Sequence, residues 1–202
     1  MQTRIKTAWK IIGLGLIFLL NACSVEQIYH GKALDNQASW VLLPVVNRSQ
    51  TPQAGERVEA ILVSLLRSRG VTHISHYPGT PQSQVLIMLD EQARYNAALK
   101  WALTQGFRYA ITGTVEEWRY KAGLDGEPAV GITLRVIDLQ NNKKFASRTS
   151  TTSEAKYKTQ PVLWSATGAR TGWGREGIAT ATHTLLNDLL DGIVFVEQGK
   201  QS

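Results

Sequence analysis

One cysteine, four histidines and the lack of a membrane-length apolar run narrow the field before any motif is read. Cys23 is the only cysteine in 202 residues, so no internal disulfide can form. His73 and His76 are three apart in a segment that reads as a strand, where they point to opposite faces. His30 and His183 lie far from both in sequence. That distribution speaks against a metal site. The apolar run Ile11–Leu20 is about half of the roughly 20 residues needed to cross a bilayer. No G-x-S-x-G is present, and no repeat of about 20–50 residues is visible.

What is present at the start is a processing signal. Arg4, Lys6 and Lys10 precede the apolar run, and Leu20-Asn21-Ala22-Cys23 follows it at once. Residues 1–22 therefore read as a signal peptide. L-x-A-C resembles the lipobox of bacterial lipoproteins, in which the cysteine is lipidated and becomes the new N-terminus. Ser24 in place of aspartate resembles lipoproteins sorted to the outer membrane. The chain carries 22 Lys and Arg against 16 Asp and Glu, a net +6. Removing the three basic residues of the leader leaves +3. A nucleic-acid role loses its electrostatic support, and export removes the partner.

The remainder predicts one α/β domain over residues 39–195, after a lipidated polar tether at 23–38 and before a polar tail at 196–202. Trp40–Val46 reads as a buried strand. Val58, Ile61, Leu62, Leu65 and Leu66 fall at helical spacing, with Gly70 where a helix ends. Val71–Tyr77 reads as a strand, and Asp90–Gln105 as a helix with Ala93, Ala97, Trp101 and Ala102 on one face. Tyr109–Tyr120 and Val130–Val136 alternate as strands around the Gly/Pro-rich turn Gly123–Pro128. Residues 141–161 read as a basic insertion, Val162–Ala169 as a strand, and Arg175–Val194 as a helix with Ile178, Thr182, Leu185, Leu189 and Ile193 inward. The order β-α-β-α-β-β-β-α implies a mixed sheet flanked by helices.

Charge concentrates at the hairpin, where Glu116, Glu117, Asp125 and Glu127 lie within twelve residues. As neighbours on a regular strand, Glu116 and Glu117 point to opposite faces and do not form a general acid–base pair. Gly172-Trp173-Gly174-Arg175-Glu176-Gly177 matches G-x-G-x-x-G, but the dinucleotide mechanism needs a βαβ unit, and here the chain ends with the helix. A helix N-terminus with Arg170 and Arg175 could instead meet an anion such as a lipid phosphate. Trp164 reads as core. Trp173, between glycines and near arginines, suits a membrane interface.

The lipobox, Ser39–Pro44, Gly113–Tyr120, Gly123–Gly131, Val162–Ser165 and Gly172-Trp173, in that order, resemble the PelC family, outer-membrane lipoproteins of the Pel exopolysaccharide system. The resemblance implies a fold like the N-terminal domain of TolB. It implies a non-enzymatic protein without cofactor, apart from the lipid on Cys23. It further implies a large, dodecamer-like ring on the periplasmic face of the outer membrane. The ring would guide a cationic amino-sugar polymer toward a PelB-type porin. Asp125, with Glu116, Glu117 and Glu127, would supply the acidic guide. Trp173, or else Trp164, would face the membrane with Arg170 and Arg175. Residues 141–175 carry seven basic side chains against Glu154, so that whole span is expected to face anionic headgroups. The reading from a different class is a regulatory lipoprotein that activates a periplasmic cell-wall enzyme by contact.

Overall fold

A computed structural model describes residues 27–29, 31, 33–79, 91–121, 126–140, 162–172 and 175–196. Its centre is the hairpin of β6 (Tyr109–Tyr120) and β7 (Pro128–Asp138). β-branched side chains on both strands fit a pleated, packed surface, and the turn residues between them reverse the chain. β8 (Val162–Thr171) continues the meander antiparallel to β7, and β1 (Gln27–Tyr29) pairs antiparallel to β8. On the other side of β6 the sheet is parallel: β3 (Trp40–Leu42) lies between β6 and β5 (Ile74–His76), and β4 (Val46–Asn47) pairs with β6 further along. The seven-stranded order is β1-β8-β7-β6-β3-β5, with β4 beside β6.

Two helices connect the parallel strands. α1 (Ala54–Ser68) joins β4 to β5, and α2 (Glu91–Gln105) leads from β5 back across β3 to β6. Because the chain first moves outward and then returns, right-handed crossovers place these helices on opposite faces. α3 (Ile178–Leu190) follows β8 and lies beside α1. β2 (Leu34–Asp35) and β9 (Phe195–Val196) form a separate two-stranded parallel pair.

The faces are unequal. α1 and α3 cover one with Val58, Leu62, Leu66, Leu185, Leu186 and Leu189, packed on Trp40, Ile111, Ile132, Leu134 and Trp164. Gly168 admits α3 closely: a Cβ there would lie 2.9 Å from Leu185 and 3.0 Å from Leu189. On the other face α2 packs Ala98, Leu99 and Ala102 against Val41, Leu43, Ala110 and Ile137.

Several expectations need correction. The polar stretch 23–38 is not all tether: Gln27–Tyr29 pairs with β8, and Leu34 is buried in the main core. Trp40–Val46 is split, since Pro44 has no N–H for the ladder; its carbonyl instead accepts the Thr112 hydroxyl at 3.0 Å. The inward face of α2 is Ala98, Leu99 and Ala102, whereas Ala93, Ala97 and Trp101 lie at its margins. The tail is not wholly outside, because Val196 pairs with Asp35. Cys23, Asp125, Trp173 and the insertion 141–161 lie outside the described residues.

Candidate functional site at the hairpin end of the sheet

The hairpin carries a β-bulge. Pairing runs regularly from Tyr109↔Asp138 to Val115↔Ile132, then resumes at Glu117↔Gly131, leaving Glu116 as the extra residue. A bulge resets the alternation of the strand. Val115 and Trp118 therefore both face the core, and both intervening glutamates turn to the opposite side. A Cβ on Gly131 would lie 3.5 Å from the Cβ of Glu117 and 3.8 Å from that of Glu116. The expectation that the two acids face opposite ways is overturned by that one extra residue.

The acids are not bare. Arg48 Nη1 lies 3.7 Å from Glu116 Oε1, and Arg119 Nε donates to Glu117 Oε1 at 2.8 Å. Both pairs are solvent-accessible, so each contributes little to stability, typically up to about 1 kcal/mol. Their effect is on field: each guanidinium cancels one carboxylate locally. Arg48 was not foreseen from sequence, because only the β4–β6 pairing brings it there.

The turn closes through Lys121 N–H donating to the Glu127 carbonyl at 2.7 Å, with Gly126 at φ 53°. This end of the hairpin is fastened to the β8–α3 connection by three bonds. Gly172 N–H donates to the Pro128 carbonyl at 2.7 Å, Lys121 Nζ to Thr171 Oγ1 at 3.1 Å, and Ile178 N–H to Tyr120 Oη at 3.1 Å. The hairpin acids and the segment flanking Trp173 thus share one end of the sheet. β1 points the same way. Gln27 pairs with Thr167 and Tyr29 with Ser165, so the N-terminal end of β1 is the end nearer Thr171.

Other expected residues are placed differently. Trp164 is 2% exposed within the main core, which removes it from the membrane-facing set: even strand positions of β8 face α1 and α3. Arg170 is on the same side and pairs with Glu176 at 3.4 Å, while Arg175 is exposed. Of the span 141–175, only residues 162–172 and Arg175 are described. The described chain stops at Gln140 and resumes at Val162, and this root of the insertion lies opposite the hairpin end. The ten residues of β8, about 33 Å at strand rise, separate that root from the Trp173 turn. At the root, buried Asp138 accepts from Gln140 N–H at 3.0 Å and lies 3.5 Å from Arg108 Nη2.

The G-x-G-x-x-G match has no dinucleotide context. Gly177 is the N-cap of α3, and among the described residues no strand of the main sheet follows that helix. Among the described residues no three His, Cys, Asp or Glu converge to hold a metal, and no helix is long and apolar enough to cross a membrane. A cavity of about 330 Å³ opens between the N-terminal ends of α1 and α2, lined by Asn47, Gln53, Glu56, Glu91 and Arg94 among others. None of the residues expected to act lines it.

Fold and site together define a small mixed α/β module whose charged side chains gather at one hairpin end, beside the strand that leads back to the N-terminus. Two solved structures share it over 86% of this chain and 100% of theirs: PelC dodecamers from Paraburkholderia phytofirmans. One, a single-substitution variant, is 30% identical with a TM-score of 0.66, and the other is 31% identical with a TM-score of 0.64. The chain belongs to the PelC family. No protein-family model and no curated protein sequence matches it.

Proposed function

We propose that the chain is a non-enzymatic outer-membrane lipoprotein of Pel exopolysaccharide export. Anchored through Cys23, it assembles into a ring on the periplasmic side and guides the cationic polymer to the outer-membrane porin. Family membership supports the export role, and the relatives solved as dodecamers support the ring. The observation that carries the arrangement is the register of β1. Only three residues, or four Cα–Cα steps, separate Cys23 from Gln27, a reach of at most about 14 Å. A lipid on Cys23 then holds the hairpin end of the sheet, with exposed Arg175, near the membrane.

Glu116 and Glu117 already have arginine partners. The resemblance to PelC, not the geometry, makes Asp125 the acid we assign to the polymer. Repeated around a ring, one carboxylate per subunit becomes a collective field for positive charge, and weak contact at each sugar keeps the chain moving. An Asp125→Lys protein that is lipidated and assembled is expected to lose Pel secretion; normal secretion refutes the guide. For the anchor, a flexible insert of about 20 Gly/Ser residues before Gln27 adds roughly 25 Å of reach. Secretion should fall with lipidation intact, and unchanged secretion overturns the fixed orientation.

A further inference from the structure

The chain ahead of β3 is caught twice. The first catch is β1, where Gln27, Ile28 and Tyr29 pair with Thr167, Ala166 and Ser165 on the edge of β8. The second is built around β2. Leu34 is 2% exposed in the main core, and its N–H donates to the Val194 carbonyl at 2.8 Å. Trp40 Nε1 donates to the Asp35 carbonyl at 3.0 Å, and Gln37 Nε2 to the Gly70 carbonyl at 3.3 Å. Phe195, the partner of Leu34 on β9, stands 6.1 Å from the Trp40 ring, centroid to centroid. Trp40 pairs with Tyr109, and Tyr109 with Asp138. The second catch therefore lies at the root of the insertion, at the opposite end of the sheet from the hairpin turn.

The catches differ in strength. The second buries Leu34 and Asn36 and ties them to β3, to the turn after α1 and to the chain after α3. The first is three residues long and lies on a sheet edge. The few ladder hydrogen bonds of so short a strand gain little more than ordering its residues costs. Edge segments of this kind open without the rest of a domain. The fit of β1 also depends on Gly31, which continues the register opposite Leu163. Gly31 is exposed, yet a Cβ there would overlap the Leu163 carbonyl oxygen, which is backbone and cannot swing aside.

We infer that β1 is a releasable strap, and that Gly31 is the residue that lets it close. With the strap closed, the first fixed point after Cys23 is Gln27, toward the hairpin end. With it open, the first fixed point is Leu34, eleven Cα–Cα steps from Cys23, a span of at most about 40 Å. Closure decides which end of the sheet lies nearest the lipid. Release lets the domain turn or stand off from its anchor while the core stays folded. The closed strap also covers part of the β8 edge, which would otherwise be a template for a stray strand. The consequence at the membrane rests on Cys23 being the anchor; the strap itself does not.

The test uses the full chain in detergent and follows amide hydrogen exchange by mass spectrometry beside thermal melting. Peptides covering Gln27–Tyr29 should be protected, yet exchange at least about 100-fold faster than those covering Leu34 and Trp40. Gly31→Ala should abolish the β1 protection and leave both the Leu34 protection and the melting midpoint unchanged. Exchange of β1 as slow as that of Leu34 makes it a fixed strand and overturns the strap. So does a β1 without any protection in the wild type, or a Gly31→Ala chain that melts markedly lower. Unaltered β1 protection in Gly31→Ala overturns the role of Gly31. A second reading pairs Gln27→Cys with Thr167→Cys in a Cys23→Ser background. Oxidation should link these facing positions, and adding Gly31→Ala should slow the link at least about tenfold; equal rates refute the catch. Mass of the mature chain reports the lipid separately, so an unlipidated Cys23 removes the anchor and leaves the strap standing.

Discussion

Glu116 and Glu117, adjacent in sequence, stand on the same side of the sheet, and both flank the bare Cα of Gly131 on the facing strand. The bulge that achieves this leaves room where a side chain would ordinarily stand. Only ordinary contacts, 3.5 Å or longer, await a Cβ on Gly131. Gly131→Ala should therefore be neutral or stabilising by about 0.5–1 kcal/mol, through lower chain entropy in the unfolded state. Gly113 is the contrast: a Cβ there would lie 2.6 Å from the Thr133 carbonyl oxygen, which is backbone and cannot swing aside. Gly113→Ala should cost about 1–3 kcal/mol. Urea unfolding of the two variants checks the order, and a reversed ranking refutes the placement of the bulge.

The arginine partners set a second expectation. If the hairpin acids attract a polycation, Arg48 and Arg119 now hold that attraction down. A double Arg48→Gln, Arg119→Gln protein should retain glucosamine oligomers more strongly than wild type at low salt, with the gain fading as ionic strength rises. Unchanged retention places the polymer elsewhere and leaves Glu116 and Glu117 as ordinary surface ion pairs.

Trp164 belongs to the core, which a truncation should expose. Trp164→Ala should destabilise by about 3–5 kcal/mol, seen as a lower denaturation midpoint in the absence of any membrane. Trp173→Ala should leave that midpoint unchanged and weaken vesicle association instead. A Trp164→Ala protein as stable as wild type contradicts the packing against α1 and α3.

The meander, the two crossover helices and the closing helix were legible because their periods are unambiguous: 109, 111, 113 and 115 alternate, and 185 and 189 repeat at helical spacing. The bulge is also written in the sequence, as the three-residue step from core-facing Val115 to core-facing Trp118, but the alternation on either side of it predicts an unbroken strand. β1 was hidden because three residues in a polar stretch become a strand only when β8 offers an edge, which is a tertiary fact. The same holds for Arg48, brought to Glu116 by a two-residue parallel pairing. A single charge sum over 141–175 gives no direction for those charges, because β8 runs through the span and its odd and even positions face opposite sides.

Glu59 gives the pH prediction. It sits largely buried between α1 and the β3–β4 link, and its Oε1 accepts the Val45 N–H at 2.8 Å. Burial raises its pKa above the usual carboxylate range, opposed by the Val45 hydrogen bond and by Arg94 and reinforced by Glu56 and Glu91. For an acid with a raised folded pKa, the stabilising form is the protonated one. Its contribution is complete below the unfolded value, about 4.3, and is lost as pH rises through the folded value. Glu59→Gln keeps a carbonyl for Val45 and removes the buried charge. The variant should therefore melt higher than wild type at pH 7, with the difference shrinking toward zero as pH falls below about 4. A variant that melts lower than wild type at pH 7 would mean that Arg94 and the Val45 hydrogen bond outweigh the burial, and that the ionised carboxylate is the form the fold prefers.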